Sequence, residues 1–84
     1  MKTLSIVKSV AGRDKGFLLA VIGECDGLVL VCNGKERPLQ NPKLKNKKHL
    51  VFTGQSLNEE DLNSNNSLRR ALKRCEIKED SNYV

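Results

Sequence analysis

The chain has no tryptophan, two prolines and one histidine in 84 residues, and its aromatic side chains are Phe17, Phe52 and Tyr83. With 38% apolar residues and so few large rings, one small core is all it can bury. Stability is then marginal, and a partner covering part of the surface would add to it by mass action. Too few residues remain to wall a deep substrate pocket. Cys25, Cys32 and Cys75 are odd in number and widely spaced, with no C-x-x-C and with His49 at ligand spacing from none of them. No metal site is expected; buried free thiols in a reducing cytoplasm are. No apolar run approaches the ~20 residues of a membrane span, and Ser5, Lys8 and Ser9 interrupt the N-terminal MKTLSIVKSVAG, so neither a signal peptide nor a membrane partner is expected. Asp14, Glu24, Asp26 and Glu36 are scattered over turns, and no nucleophile stands beside a base. The chain does not read as an enzyme, and no cofactor is implied.

What is present is positive charge, unevenly placed. The net charge is +5; residues 1–50 carry ten Lys or Arg against four Asp or Glu, and residues 51–84 carry five against six. The first fifty residues are therefore the basic part, and a basic surface attracts polyanions, nucleic acid above all. Solubility alone would also account for such a balance; on charge alone nucleic-acid binding is the preferred reading.

The same half reads as β structure. Thr3 to Ala11 places Leu4, Ile6, Lys8 and Val10 on one face of a strand. Gly12-Arg13-Asp14-Lys15-Gly16 follows as a loop whose two glycines supply unusual backbone angles. Phe17 to Ile22 and Leu28 to Cys32 are apolar runs that fit strands, separated by a turn with the Asp26-Gly27 signature. Asn33-Gly34 predicts a hairpin into a fourth strand, with Pro38 confining that strand to an edge or shortening it. Gln40 to Lys48 predicts a lysine-rich loop, and His49 to Thr53 a fifth strand that Gly54 ends. Five short strands in some fifty residues indicate a small closed barrel, mainly β, with Phe17 and Phe52 in its core. Ser56 to Glu59 fits a capping box. Asn65 or Asn66 then caps a helix from Ser67 to about Glu76, with Leu68, Ala71, Leu72 and Cys75 in one stripe and Arg69, Arg70, Lys73 and Arg74 around it. The expected organisation is a barrel over 1–54, a short helical extension over 55–77 and a flexible tail over 78–84.

Ala11-Gly12-Arg13-Asp14-Lys15-Gly16, Val29-Leu30-Val31, Asn33-Gly34-Lys35-Glu36-Arg37 and the run from Pro42-Lys43 to Lys48-His49-Leu50 stand in an order that resembles a KOW domain. The chain looks like the small bacterial KOW-domain RNA-binding proteins, which are similar to archaeal and eukaryotic large-subunit ribosomal proteins. The resemblance covers residues 5–53, with an echo in Leu68-Arg69-Arg70-Ala71-Leu72. It implies an SH3-like five-stranded barrel that binds structured RNA, usually ribosomal, with ribosomal proteins as further partners and a free monomer off the ribosome.

On that expectation Arg13 and Lys15 project from the glycine loop, Arg37 from the hairpin, and Lys43, Lys45, Lys47 and Lys48 from the long loop. Together they form one basic face, and Gly12 and Gly16 let backbone N–H groups approach a phosphate. Arg69 and Arg70 add a second contact if the helix touches RNA; otherwise the helix is a lid on the barrel. The alternative is a protein-interaction module that docks an acidic partner.

Overall fold

The structure is a computed structural model that describes residues 3–81, with side chains described for 3–76. Five antiparallel strands form one open sheet: β1 (Ser5–Ser9), β2 (Leu18–Cys25), β3 (Leu28–Cys32), β4 (Lys43–Asn46) and β5 (Leu50–Ser56), in the order β4-β3-β2-β1-β5. One helix, α1 (Asn65–Ser81), follows. Single 3-10 turns at Lys47–His49 and Glu59–Leu62 join β4 to β5 and β5 to the helix.

The strand alternation sorts the apolar side chains into two layers. Val7, Leu19, Val21, Val29, Val31 and Leu50 form an inner core. Ile6, Ala20 and Cys32 face the other way and meet Leu57, Leu68, Ala71 and Leu72 in an outer core, with Leu4, Leu18, Ile22 and Leu39 around it. Leu68, Ala71 and Leu72 are the stripe read from the sequence, so α1 covers the sheet face that carries Ile6, Ala20 and Cys32. The expected boundary at residue 54 falls inside β5, and sheet and helix share a core. The expected tail is helical as far as Ser81; residues 82–84 lie outside the described region.

Asp26 and Gly27, at φ 48° and 81°, make a two-residue turn with both central residues left-handed, as Asp-Gly requires between β2 and β3. The Asn33-Gly34 hairpin is not formed. Asn33 Oδ1 instead accepts from the N–H groups of Lys35 (2.9 Å) and Arg37 (3.0 Å), and Arg37 O accepts from the N–H groups of Asn33 (2.8 Å) and Gly34 (3.1 Å). The asparagine side chain thus closes a compact loop on its own backbone, which a strand ladder cannot then use. The Leu39 N–H donates to Asn65 Oδ1 (2.8 Å), which draws the segment towards α1. The fourth strand is the lysine-rich Lys43–Asn46, directly after Pro42, where tertiary pairing with β3 overrides composition. Gly54 does not end β5: at φ 86° it lies where the β1–β5 register shifts, and the strand continues to Ser56. Cys32 is buried, and burial pushes its thiol up to about 11; Cys25 is exposed, contrary to the expectation of buried thiols throughout.

The helix start is fixed by Ser64, whose Oγ accepts from the Ser67 N–H (3.1 Å) and whose carbonyl accepts from the Leu68 N–H (3.0 Å). Gly34 is pressed against that first turn. A Cβ there would stand 2.5 Å from Asn65 O and 2.9 Å from Arg69 Cγ, at φ 80°. Gly16 has a similar φ, 93°, but open space around it. Gly34→Ala should therefore destabilise the fold by ~2–3 kcal/mol in urea denaturation, and Gly16→Ala by about 1. Equal losses would contradict the close approach of loop and helix.

Candidate nucleic-acid interface

The Gly12–Gly16 loop is closed on itself and on the sheet. The Gly16 N–H donates to Ser9 O (2.8 Å), Ser9 N–H to Phe17 O (3.0 Å), Phe17 N–H to Asp14 O (2.9 Å) and Lys15 N–H to Gly12 O (3.3 Å). Gly12 and Gly16 sit at φ 86° and 93°, the left-handed geometry that the glycine pair predicts. Asp14 folds back inward and is only 3% exposed. It meets Lys45, 6% exposed, in a direct ion pair. Lys45 Nζ also donates to Ala11 O (3.1 Å), and Ser9 Oγ lies 3.1 Å from Asp14 Oδ1. A polar cluster of Ser9, Asp14 and Lys45 thus pins the loop onto β4.

Lys45 therefore does not project to solvent as the sequence suggests. In β4 it lies opposite Val29 and Lys43 opposite Val31, so both are on the register of inner-core residues, while Leu44, opposite Leu30, is 50% exposed. An isolated ammonium on that register is untenable, and Asp14 is the compensating charge. Burial alone would raise the Asp14 carboxyl; the hydrogen bonds from Lys45 and Ser9 and the Lys45 charge outweigh it and hold the carboxyl below its ordinary value.

The remaining expected residues divide into groups. Arg13 and Lys15 are exposed on the pinned loop. Lys48 and His49 are exposed in the 3-10 turn after β4, and His49 O accepts from the Val10 N–H (2.9 Å), which sets this turn beside the base of the loop. Lys43 is half-buried. Lys47 is paired with Glu24, and each shifts the other towards its charged form. Arg37 is half-buried, with Nε enclosed and without a hydrogen-bond partner among the described residues. Arg69 and Arg70 are exposed on α1. A single face made of the seven loop and hairpin cations is not what forms, because Lys45 is internal and Lys43 and Arg37 are half-buried. Arg13, Lys15 and Lys48 gather at the loop end of the sheet, and the helix cations form a second group.

The second group borders a groove of about 360 Å³ lined by Gly16, Phe17, Asn33, Lys35, Arg69 and Lys73, among others. Gly16 belongs to both regions, so the glycine loop joins them. Lys35 is not marked by any local pattern, because the Asn33-Gly34 signal places it in a strand. Phe17 and Phe52 are 37% and 54% exposed, against the expectation that both are core: Phe17 precedes β2, and Phe52 lies beside the β1–β5 register shift. No protein-family model matches the chain, and no curated protein matches it. Among the described residues no three potential metal ligands cluster, and no helix is long and apolar enough to cross a membrane.

Removing one member of the buried pair leaves the other charge uncompensated. Asp14→Asn or Lys45→Met should each cost about 3–5 kcal/mol, whereas Asp14→Leu with Lys45→Met should recover most of that loss, because no charge is then left uncompensated and Asp14 Oδ2 has no hydrogen-bond partner among the described residues. The same pair sets an acid limit. With the folded carboxyl lowered, its contribution is complete above the unfolded value near ~4 and is lost as pH falls through the lowered folded value. Thermal melts between pH 2 and 7 should show this loss in the native protein and less of it in the double variant.

Proposed function

We propose that the protein is a non-catalytic module that binds structured RNA through the loop end of its sheet. The observation that carries this reading is the pinned loop. Asp14 and Lys45 neutralise each other in the interior, and the loop they hold presents Arg13 and Lys15 to solvent beside Lys48. The cations are thus pre-positioned, which spares the ordering cost of a mobile basic loop. Phosphate contacts of this type give affinity and salt dependence more than base specificity.

The resemblance to KOW domains supports the same reading and suggests ribosomal RNA as the target, ribosomal proteins as neighbours and the cytoplasm as the compartment. The strand order β4-β3-β2-β1-β5, with a single 3-10 turn carrying the chain from one sheet edge to the other, is compatible with closure into an SH3-like barrel. A protein-docking role has one observation in its favour, the exposure of Val51 and Phe52 on the edge strand β5, at 52% and 54%.

The test is a salt titration of binding to purified ribosomal RNA and to an unrelated structured RNA, with Arg13→Gln/Lys15→Gln/Lys48→Gln as the comparison. Each phosphate contact adds roughly 0.7–0.9 to the slope of log affinity against log salt, so the triple variant should lower that slope by about 2–3 and weaken binding by orders of magnitude without loss of fold. Affinity unchanged by the triple substitution would overturn the assignment of this face. Absence of binding at low salt would favour the protein-docking role.

A further inference from the structure

Phe17 is an exposed aromatic ring at the border of a cationic groove. The floor is framed by Gly16, Phe17 and Leu18 on one side, by Asn33, Lys35 and Glu36 on another, and by Arg69, Leu72, Lys73 and Glu76 of α1. Its volume of about 360 Å³ is in the ~300–1,000 Å³ range of small-ligand sites. The walls are fixed. Gly16 and Phe17 belong to the loop pinned by Asp14 and Lys45, and the Asn33 loop is closed by its own asparagine and seated on α1 through Gly34. The stem of Arg69 passes over Gly34, as the 2.9 Å approach to a Cβ at that position shows.

Arg69 and Lys73 are four residues apart on one face of α1, and with Asn66 and Arg70 they line a second hollow of similar volume. The Arg69–Lys73 ridge therefore separates two recesses of different character. The first holds an aromatic ring, the apolar edges of Leu18 and Leu72, and the carboxylates of Glu36 and Glu76, which repel a phosphate. The second is lined by Asn66, Arg69, Arg70 and Lys73, three cations and an amide.

We infer that this groove is a site for one unpaired nucleotide of RNA, its base stacked on Phe17 and its flanking phosphates held by Arg69, Arg70 and Lys73. Charge and shape both divide in the way that this ligand divides: a flat π-face towards the ring, anionic oxygens towards the ridge. Stacking on an exposed ring flanked by cations is how proteins hold unpaired bases, and unpaired bases are where RNA offers its faces. The inference rests on the RNA-binding role and adds to it a preference for bulges and loops over continuous duplex. The loop cations supply affinity for any folded RNA; the groove distinguishes among them.

The experiment compares a fully paired RNA hairpin with the same hairpin carrying one bulged 2-aminopurine. For the native protein the bulged RNA should bind more tightly, with its fluorescence quenched on binding. Phe17→Ala should weaken binding to the bulged RNA by about 5- to 150-fold, the range of stacking per base, and should weaken binding to the paired hairpin far less, so that the preference for the bulge is lost. Phe17→Tyr, which keeps the ring, should restore both preference and quenching, and this separates stacking from a general loss of fold. Equal affinity for the two hairpins, or a Phe17→Ala variant that keeps the preference and the quenching, would overturn the groove assignment. In that case the RNA-binding role still stands if the Arg13/Lys15/Lys48 variant loses affinity for both hairpins. If the native protein binds neither hairpin at low salt, the RNA-binding role itself fails, and the groove assignment with it.

Discussion

The buried contact between Asp14 and Lys45 is the constraint on which the architecture of this protein depends. Lys45 lies in β4 on the register of Val29, directed to the inner core, and so needs a negative charge beside it. Asp14 can supply one only if residues 11–16 fold back over the sheet, which the left-handed angles of Gly12 and Gly16 allow. Ser9 and Ala11 O complete the cluster. One ion pair therefore sets the shape of the β1–β2 loop, tethers the lysine-rich strand and caps the inner apolar layer.

The position of the exposed cations follows from that arrangement. Arg13 and Lys15 flank an aspartate that turns inward, so they face outward; Lys48 lies in the turn leaving β4, next to the base of the same loop. The far end of the loop, Gly16 and Phe17, borders the helix groove. The helix is held there by an independent set of contacts, the Leu68, Ala71 and Leu72 stripe on the outer core and the seat of Gly34 on its first turn. Sheet and helix each contribute cations, and the glycine loop lies between them. The pattern suits a polyanion that extends across the surface more than a small ligand held at one point.

Much of the fold is legible in the sequence, and the exceptions have physical causes. The apolar runs of β2 and β3, the Asp26-Gly27 turn and the helical stripe depend on local periodicity and local backbone preference, and they are read directly. Asn33-Gly34 carries the same local signal as a hairpin, but its outcome was decided by the Asn33 side chain, which bonded its own backbone, and by Asn65, thirty-two residues away in sequence. Lys43 to Asn46 has no strand propensity to detect; pairing with β3 makes it a strand. For the candidate site, Arg13, Lys15, Lys48, Arg69 and Arg70 lie on the surface as expected, while Lys45 is internal because its compensating charge is thirty-one residues distant and no local pattern links the two. Phe17 misleads for a related reason: adjacent to an apolar run, it reads as core, but it belongs to the loop.

The central claim is that the pinned loop and the neighbouring cations form the RNA-facing surface. The most direct test is a two-dimensional NMR titration of the isotope-labelled protein with structured ribosomal RNA, following backbone amides. The account predicts that the largest shift changes fall on Gly12 to Phe17, Lys48, His49 and Arg69 to Lys73, with Val51 to Ser56 nearly unmoved. Shift changes concentrated on Val51 to Ser56, with the loop amides unaffected, would contradict it.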